Sequence, residues 1–506
     1  MMENRKIWFF GNRISLLITL AIVFVAAIGI RLYDLTDMPL DFNANRQLFS
    51  ALKARGMYYA MLPASAADVP QWQREMAISQ WKSLATIEPP VTEILVALTY
   101  RVFGLHLWIS RIYTSLFWVL GGIFLFLLAK EISSLDGAVV ALLFYLFLPF
   151  GIIASRSFQP DPLMVFLIIA GLWAMYRWRS SGTWKWALTA GLLNGAAIFV
   201  KNVAVFPLLG AAIGLVLERG WRESIKDKQT WILAVLSALP VGLYTLYGVL
   251  ISGSLVSQFN LRFFPDLWKD GGFYIRWKGQ LDGITGFGPI VMAFIGVLLV
   301  GKRKSAFLLG LWAGYLVFGM TFAYHISTHD YYSLPVIPIV ALSFSPLVAL
   351  LADRLEQVQP AQLTQISLAV FTILICGVYM WYARVDLARS NYREDPQFWW
   401  KLGEKLGHTT PAIGLTQDYG ARLAYWGWQD ISSWYYSGDL NIRDLAGINV
   451  NLSERFADQI KGKRFFVVTQ MSTLDSQPEI KAMLYKHYSI YDQGNGYLIF
   501  DLSHPK

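Results

Sequence analysis

The most regular feature of the chain is a series of long apolar segments separated by short polar turns. A transmembrane helix needs about 20 predominantly apolar residues, and shorter helices occur inside packed bundles. Eleven segments meet this requirement: 14–32, 108–130, 136–154, 161–176, 186–200, 203–218, 231–252, 284–300, 305–323, 334–352 and 365–383. We therefore predict an all-α polytopic membrane protein with about 11 transmembrane helices.

The basic residues of the turns predict the orientation of these helices. Cytoplasmic loops of membrane proteins carry an excess of Lys and Arg. If the N-terminus is cytoplasmic, most basic residues of the short turns lie inside: Lys130, Arg177, Arg179, Lys185, Arg219, Arg222, Lys226, Lys228, Lys302, Arg303, Lys304 and Arg354. The short outer turns then carry only Arg156 and Lys201. An odd number of spans places the C-terminus outside the cytoplasm.

One further apolar stretch, 91–104, is not counted as a span. It is short for a transmembrane helix and contains Glu93 and Arg101. Counting it would move the basic cluster 302–304 to the outside, against the positive-inside rule. We expect a re-entrant or interfacial helix there.

The first outer segment, 33–107, is a long loop with helical patterns of its own. Residues 43–60 and 71–86 are predicted to be helices, and prolines punctuate the loop around them. The first of these helices groups its apolar positions on one face, which is typical of an interfacial amphipathic helix. Long ordered loops are usually functional. This loop and the eleven spans form a predicted transmembrane catalytic domain, 1–385.

The composition becomes polar and mixed after this point. Strand-like runs at 412–416, 464–469 and 497–502 alternate with helical stretches near 396–407, 451–461 and 477–487. Such alternation predicts a small α/β domain. Residues 386–506 are accordingly expected to form a soluble extracytoplasmic domain.

The composition agrees with a membrane protein and argues against a nucleic-acid-binding protein. Hydrophobic residues make up 55% of the chain and charged residues 15%, with 20 Trp, 25 Tyr and 32 Phe. The net charge of +9 is explained by cytoplasmic loops at anionic lipid, so we expect no nucleic-acid partner. The single Cys376 allows no intramolecular disulfide.

The predicted topology collects unusual polar groups on the outer side of the membrane. They come from five distant parts of the sequence: Asp34, Asp37 and Asp41; Glu88 and Glu93; Arg156 and Asp161; Lys201 and Asn202; His325, His329, Asp330, Tyr331 and Tyr332. Acids at one membrane face can act as bases, and cations there can stabilise an anionic leaving group such as a phosphate. This arrangement predicts a polar cavity that opens to the outside.

Five motifs within residues 14–350 resemble a known family in their order and spacing. They are PLDFNANRQ at 39–47, EPPVTE at 88–93, SRSFQPDPL at 155–163, GLLNGAAIFVK at 191–201 and HDYYSLPVIP at 329–338. Together they resemble the integral-membrane glycosyltransferases of the GT-C type. Within that type, the resemblance is to the family of the dolichyl-phosphate-mannose-protein mannosyltransferases and the lipid A aminoarabinose transferases. The C-terminal domain does not contribute to this resemblance.

The resemblance implies a reaction and a set of site residues. The donor would be an undecaprenyl- or dolichyl-phosphate sugar, and transfer would proceed with inversion, without a nucleotide and without an indicated metal or other cofactor. Asp41 matches the acid that would deprotonate the acceptor, which is a lipid, a glycan or a protein. Many relatives have an acidic pair or His-Pro where this chain has Asn43-Ala44. The implied substrate-binding residues are Asp37, Arg46, Glu88, Arg156, Asp161, Lys201, His329, Tyr331 and Tyr332.

Most of these residues also have a purely structural interpretation. Asp37 could be solvated or paired with Arg31. Asp41 could be the N-cap of the helix that begins near Asn43. Arg156 and Asp161 could form an ion pair across their turn, Lys201 could extend to the membrane interface, and Glu88 could be a turn acid. The spacing of His325 and His329 would suit metal ligands on a helix, but nearby prolines favour hydrogen bonding instead. Tyr331 and Tyr332 fit either an interfacial aromatic belt or stacking on a sugar.

Two other functions are compatible with the pattern. A flippase or transporter of lipid-linked sugars would favour paired halves and helices broken at mid-membrane, and the sequence has neither. A polysaccharide polymerase or ligase would also use lipid-linked glycans at the outer face, and it would differ in the size of its product.

Overall fold

The computed structural model describes residues 13–66, 68–85, 87–255, 261–358 and 361–506. These residues are mainly helical. They form two compact units, of which the first comprises Met1–Leu35, Thr86–Thr92 and Ser110–Ser390. The second comprises Thr36–Ala85, Glu93–Ile109 and Asn391–Lys506. Most of the first loop therefore shares a unit with the C-terminal segment.

The α-helices from the N-terminus to the end of the apolar region match the predicted segments closely. In chain order they are α1 (Arg13–Leu32), α2 (Ala44–Met61), α3 (Gln71–Ser83), α4 (Val91–Phe103), α5 (Trp108–Ile132), α6 (Leu135–Phe147), α7 (Pro149–Ala154), α8 (Asp161–Ser181), α9 (Trp184–Val200), α10 (Val205–Arg219), α11 (Trp221–Lys226), α12 (Lys228–Leu246), α13 (Gly271–Thr285), α14 (Phe287–Leu298), α15 (Lys302–Thr321), α16 (Ala323–Thr328), α17 (Val336–Val358) and α18 (Ala361–Arg389). Each predicted span contains at least one of these helices. The expected helices of the first loop are α2, α3 and α4.

The number of spans is only partly established by helix length. Among the described residues, seven helices are long and apolar enough to cross a membrane, or eight if the pair α13 and α14 is one span bent by 91°. Shorter apolar helices occupy Leu16–Leu32 and Leu135–Phe147. The predicted span over 136–154 contains two helices, α6 and α7, because Pro149 starts a new helix after Leu148. The chain is a multi-pass membrane protein, and the full count of eleven stays a prediction.

Close approach of two helices in the first unit depends on glycine. A Cβ atom placed on Gly210 of α10 would lie 2.2 Å from the carbonyl oxygen of Gly310 on α15. The reciprocal substitution at Gly310 would meet the Gly210 carbonyl at 2.2 Å as well. Small residues allow such packing in membranes, where helix association relies on van der Waals contact.

The C-terminal part of the second unit contains the expected small α/β fold. Its strands are β1 (Ala412–Leu415), β2 (Ile431–Ser433), β3 (Phe465–Val468), β4 (Tyr488–Gly494) and β5 (Tyr497–Pro505). They form one sheet in the order β2-β1-β3-β5-β4, in which β1 is parallel to β2 and β3 and β5 is antiparallel to β3 and β4. The helices of this part are α19 (Asp395–Leu406), α20 (Ala421–Trp426), α21 (Ser437–Leu445), α22 (Leu452–Gln459), α23 (Met471–Asp475) and α24 (Pro478–His487).

Alternating side chains of the central strands form a core on each face of the sheet. Ile413 and Phe466 belong to one buried cluster with Trp434, whereas Phe465 and Val467 belong to another with Trp399. Because neighbouring residues of a strand point to opposite faces, short runs of apolar residues are buried on both sides.

Arg55 joins the first-loop helices to the C-terminal part of the second unit. This α2 side chain is 2% exposed. Its guanidinium donates to the carbonyl oxygens of Tyr425 and Ala424 at 2.5 and 3.1 Å. It also lies over the rings of Tyr425 and Trp428, at 4.4 and 4.0 Å from their centroids. One buried cation thus satisfies two carbonyl groups in the last turn of α20 and stacks on two aromatic rings.

Candidate active site

The first unit holds a buried ion pair between Lys201 and Asp161. The Nζ atom of Lys201 lies 2.9 Å from both carboxylate oxygens of Asp161. Lys201 directly follows α9 in extended conformation, and Asp161 is the first residue of α8. They are 5% and 1% exposed. Burial of a charge is tolerated when an opposite charge compensates it, so these residues require each other. The alternative in which Lys201 extends to the membrane interface is wrong.

Three further predicted residues surround this ammonium group. Glu88 Oε1 lies 3.8 Å from Lys201 Nζ. The rings of Tyr331 and Tyr332 lie 5.2 and 5.6 Å from the same atom, measured to their centroids. Cations are attracted to aromatic faces at such distances. Residues far apart in sequence therefore meet around one buried cation.

Two histidines extend the cluster beyond the tyrosines. The ring centroid of His325 lies 5.2 Å from that of Tyr332, and that of His329 lies 5.7 Å from that of Tyr331. The six-residue helix α16 ends at Thr328, so His329 is outside it. Burial, with His329 and Arg262 nearby, lowers the pKa of His325 to about 3, so its imidazole is neutral. In the described part of the chain, no group of three or more His, Cys, Asp or Glu side chains is placed to hold a metal ion.

Arg156 contacts the backbone and does not pair with Asp161. Its Nη2 atom donates to the carbonyl oxygen of Asp34 at 3.1 Å, and Arg111 donates to the same oxygen at 3.2 Å. Both oxygens of Asp161 accept from Lys201 instead. The predicted alternative of an Arg156–Asp161 ion pair is therefore wrong. Two buried guanidinium groups instead fix the backbone where the first loop begins, at a residue with φ of 50°.

Asp41 lies in the second unit, just before α2. The N-cap position of α2 is occupied by Asn43, in left-handed conformation with φ of 45°. The N-cap role considered for Asp41 is therefore wrong. Asp41 is half-buried, and its Oδ1 accepts a long hydrogen bond of 3.4 Å from Gln47 Nε2. Gln47 also donates to the Phe42 carbonyl at 2.6 Å, which holds this segment against the first turn of the helix.

The other predicted residues of the second unit have backbone and side-chain contacts there. Asp37 is 6% exposed. Its Oδ1 accepts from the Tyr392 amide at 3.0 Å and lies 3.9 Å from Arg393 Nη1. Arg46 is in the first turn of α2, and its amide donates to the Asn43 carbonyl at 2.9 Å. Asp37 thus ties the first loop to the segment that precedes α19.

Glu93, one of the acids expected on the outer side, is a buried carboxylate that was not among the implied substrate-binding residues. It is 5% exposed, and its Oε1 accepts from Ser50 Oγ at 2.8 Å. Its position inside an apolar helical stretch was the available signal, because acids in such stretches are usually functional or paired.

Arg262 is a second residue that sequence reasoning missed. It lines a cavity of about 270 Å³ in the first unit, together with Glu88, Asn202 and mainly apolar side chains. It forms no hydrogen bond or ion pair with the residues that the structure describes. A half-buried cation without a carboxylate partner has charge available for an anion. The signal was a single arginine in the aromatic stretch LRFFPDLW at 261–268.

An apolar groove lies beside this cavity. Ile198 and Val241 line the 270 Å³ cavity and also a second cavity of about 440 Å³. The second cavity is bordered by residues of α8, α9, α10 and α12, almost all of them apolar. A cavity that contains Arg262 is therefore adjacent to a space suited to a hydrocarbon chain.

Comparison with known proteins agrees with this geometry. Residues 87–246 match the family model of the dolichyl-phosphate-mannose-protein mannosyltransferases. The match contains Glu88, Arg156, Asp161 and Lys201. Over 95% of its length, the chain superposes on ArnT from Cupriavidus metallidurans bound to undecaprenyl phosphate, with a TM-score of 0.59, 14% identity and 98% of that chain covered. The chain has the GT-C glycosyltransferase fold.

Further similar proteins are an archaeal oligosaccharyltransferase of known structure and two bacterial proteins that match by sequence. The oligosaccharyltransferase of Archaeoglobus fulgidus, in complex with Zn and sulfate, gives a TM-score of 0.55 at 10% identity, with 95% of this chain and 73% of that chain covered. Two candidate mannosyltransferases of Bacillus subtilis (strain 168) match shorter segments. YycA is 28% identical over 141 residues, or 28% of this chain and 20% of its own length. YkcB is 25% identical over 154 residues, or 30% and 21%.

The chain spans about a fifth of the length of these curated relatives. The GT-C resemblance inferred from the sequence motifs is confirmed by the family match and by the fold. Both findings support the prediction that this GT-C protein is a glycosyltransferase.

Proposed function

We propose that this protein transfers a sugar from a polyprenyl-phosphate donor to an acceptor at the extracytoplasmic face of the cell membrane. The observation that carries the proposal is the cavity in which Arg262, Glu88 and Asn202 adjoin an apolar groove. A lipid phosphate matches this arrangement, because its anionic head suits the cavity with Arg262 and its long hydrocarbon chain suits the apolar groove. ArnT, which has a similar fold, has been crystallised with undecaprenyl phosphate, and AglB of Archaeoglobus fulgidus with dolichol-phosphate and an inhibitory peptide.

The proposed reaction is a direct displacement with inversion. The Asp41 carboxylate removes the proton from an acceptor hydroxyl, and the oxygen attacks the anomeric carbon of the donor sugar. The bond between that carbon and the phosphate oxygen breaks, and the lipid phosphate leaves with the electron pair. A base is needed because a hydroxyl is a weak nucleophile at neutral pH. Asp41 suits this role because it is half-buried in the first loop, just before α2, where an acceptor hydroxyl can reach a carboxylate.

Arg262 and Lys201 have different proposed roles. Arg262 stabilises the negative charge that develops on the leaving phosphate, because no carboxylate of the described residues neutralises it. Lys201 is held by Asp161 and Glu88. It positions Tyr331 and Tyr332, whose rings are proposed to contact the donor sugar. Glu88 lines the donor cavity itself.

The proposed orientation follows the charge distribution, with the N-terminus in the cytoplasm and the C-terminal domain outside. Lipid, glycan and protein acceptors all fit the proposed reaction. Arg46, Arg156 and His329 remain proposed substrate-binding residues. Asp37 is proposed to support the loop that carries Asp41, through its contact with the Tyr392 amide.

The test uses the purified full-length protein with a panel of polyprenyl-phosphate sugars and measures release of free lipid phosphate. Asp41→Asn should lower turnover at least 100-fold, a loss typical of removing a general base. Asp266→Asn is the matched control, because the side chain of Asp266 is 93% exposed, and it should be active. Near-normal turnover by Asp41→Asn would contradict the base assignment. Movement of intact donor across vesicles without release of lipid phosphate would contradict the whole proposal and support a flippase.

A further inference from the structure

The second unit contains a cavity that the proposed reaction does not use. Its volume is about 680 Å³, and none of the predicted site residues lines it. Helices α2 and α3 of the first loop form one wall, and β2 with residues 408–412 and 419–421 forms another. Ligand sites typically have volumes of about 300–1,000 Å³. The cavity is therefore large enough for a small molecule or a short polymer segment.

Aromatic side chains contribute to its walls, among them Trp72 and Tyr419. Trp72 of α3 lies 5.0 Å from the ring of His408, measured between centroids. Tyr419 is 39% exposed and its ring lies 4.4 Å from that of Tyr436. Both residues line the cavity. The flat faces of aromatic rings suit the C–H face of a sugar ring, which is apolar although the ring edge is polar.

The backbone that carries Tyr419 is strained. Asp418, Tyr419 and Gly420 all have positive φ, of 54°, 56° and 86°. Left-handed conformation is uncommon for non-glycine residues and persists when the surroundings enforce it, often at functional sites. Asp418 is held here by Arg422 at 2.5 Å, and Arg422 also binds Asp395 at 2.8 Å. These two ion pairs of Arg422 hold the turn that places Tyr419 in the cavity wall.

The polar residues of the wall indicate the charge of the ligand. Two carboxylates, Glu75 and Asp430, line the cavity with one ammonium group, Lys463. Lys463 already donates to Ser432 Oγ at 2.8 Å, and Asp430 accepts from Gln80 Nε2 at 2.8 Å. Anionic groups such as phosphate are usually bound by arginine clusters, and the described lining contains no arginine. The lining thus has no excess of positive charge that would select an anion, and its hydroxyl and amide groups match a neutral, hydroxyl-rich ligand.

We propose that this cavity binds a neutral oligosaccharide, which serves as the acceptor or as the glycan to which the acceptor sugar belongs. The identification of the occupant as acceptor rests on the proposed glycosyltransferase function. The binding itself requires only the cavity wall, with Trp72 and Tyr419 stacking on sugar rings and Glu75, Gln80 and Asp430 accepting or donating hydrogen bonds.

The test measures binding of unmodified hexose oligomers of three to six units, in gluco and manno series, to the full-length protein by calorimetry without donor. Ser79→Trp places a large ring in the cavity from an exposed position of α3. Lys82→Trp is the matched control, because Lys82 is exposed on the same helix and does not line the cavity. Ser79→Trp should weaken binding at least tenfold, and Lys82→Trp should not change it. Tyr419→Asn, which tolerates the left-handed backbone, should weaken binding several-fold while the unfolding temperature stays within a few degrees.

The outcomes separate this proposal from the proposed reaction. Asp41→Asn should bind the oligosaccharide as the wild type does, even though it should not transfer. Absence of binding by the wild type across both series would overturn the proposal, as would equal binding by Ser79→Trp and Lys82→Trp. Binding of uncharged hexapeptides, blocked by Ser79→Trp, with no binding of the oligosaccharides would overturn it in favour of a peptide site.

Discussion

The ammonium group of Lys201 lies 2.9 Å from both carboxylate oxygens of Asp161, and both side chains are almost completely buried. Removing one partner of a buried ion pair leaves an uncompensated charge and costs about 3–5 kcal/mol. Asp161→Leu and Lys201→Met should therefore each lower the unfolding temperature strongly in detergent. The double variant should recover most of the stability, because two apolar residues replace two charges.

In the double variant of this ion pair, recovered stability should not bring recovered activity. The double variant Asp161→Leu/Lys201→Met should remain inactive, because Tyr331 and Tyr332 lose the cation that they face. A folded double variant with normal release of lipid phosphate would show that the ion pair only supports the fold.

Arg262 should determine the affinity for the donor. Arg262→Ala removes the guanidinium that lines the 270 Å³ cavity, and we expect the KM for the polyprenyl-phosphate sugar to rise at least tenfold. Arg262→Lys retains the charge and should recover part of the affinity. The control is Arg276→Ala, since Arg276 forms an ion pair with Asp270 and its side chain is 49% exposed. An unchanged KM for Arg262→Ala would exclude a contact with the lipid phosphate.

His325 should make stability depend on pH in a defined direction. Its folded-state pKa of about 3 lies below the usual value of about 6.5, so the unfolded state binds more protons between these values. Stability should therefore be complete above pH 6.5 and decrease as pH falls, by about 2 kcal/mol at pH 5 from this residue. Thermal unfolding of the wild type and His325→Gln between pH 7.5 and 5 checks this. Parallel curves for both proteins would contradict the assignment.

Arg55 should control the stability of the second unit. Arg55→Met removes the guanidinium that donates to the Tyr425 carbonyl and leaves the Ala424 carbonyl with Gln80 Nε2 as its side-chain donor. An unsatisfied buried carbonyl costs about 1–3 kcal/mol. Hydrogen exchange within residues 421–430 should become faster. Lys82→Met, at an exposed position of the neighbouring helix, should leave exchange unchanged. Equal exchange rates in the two variants would mean that the stacked rings hold this segment without the guanidinium.

The elements predicted from the sequence are those with strong local patterns. The apolar runs predicted the long helices of the first unit, and the strand-like runs predicted β1, β3 and β5. The strands β2 and β4 and the helix α13 were missed. Ile431–Ser433 is too brief for a pattern, Tyr488–Gly494 has mixed polar and apolar residues, and Gly271–Thr285 has no long apolar run. The break at Pro149 had a clear proline signal, but the apolar run continued through it.

The contacts within the candidate site could not be predicted from the sequence. Lys201, Asp161, Glu88 and the two tyrosines come together in the structure, and their role as substrate-binding residues stays a prediction. Arg156 donates to the backbone carbonyl of Asp34, and backbone acceptors carry no sequence signal. Arg262 belongs to none of the quoted motifs, so only its position in a cavity distinguishes it from other loop arginines.

The attachment of Arg55 to Ala424 and Tyr425 has a consequence for biosynthesis. Arg55 lies near the start of the chain, and the carbonyl groups to which it donates hydrogen bonds are translated about 370 residues later. Until residues 421–430 have left the ribosome, the helices of the first loop lack the partners of Arg55. Chains interrupted before this point should accordingly expose the first loop to proteases, even when their apolar helices have already inserted.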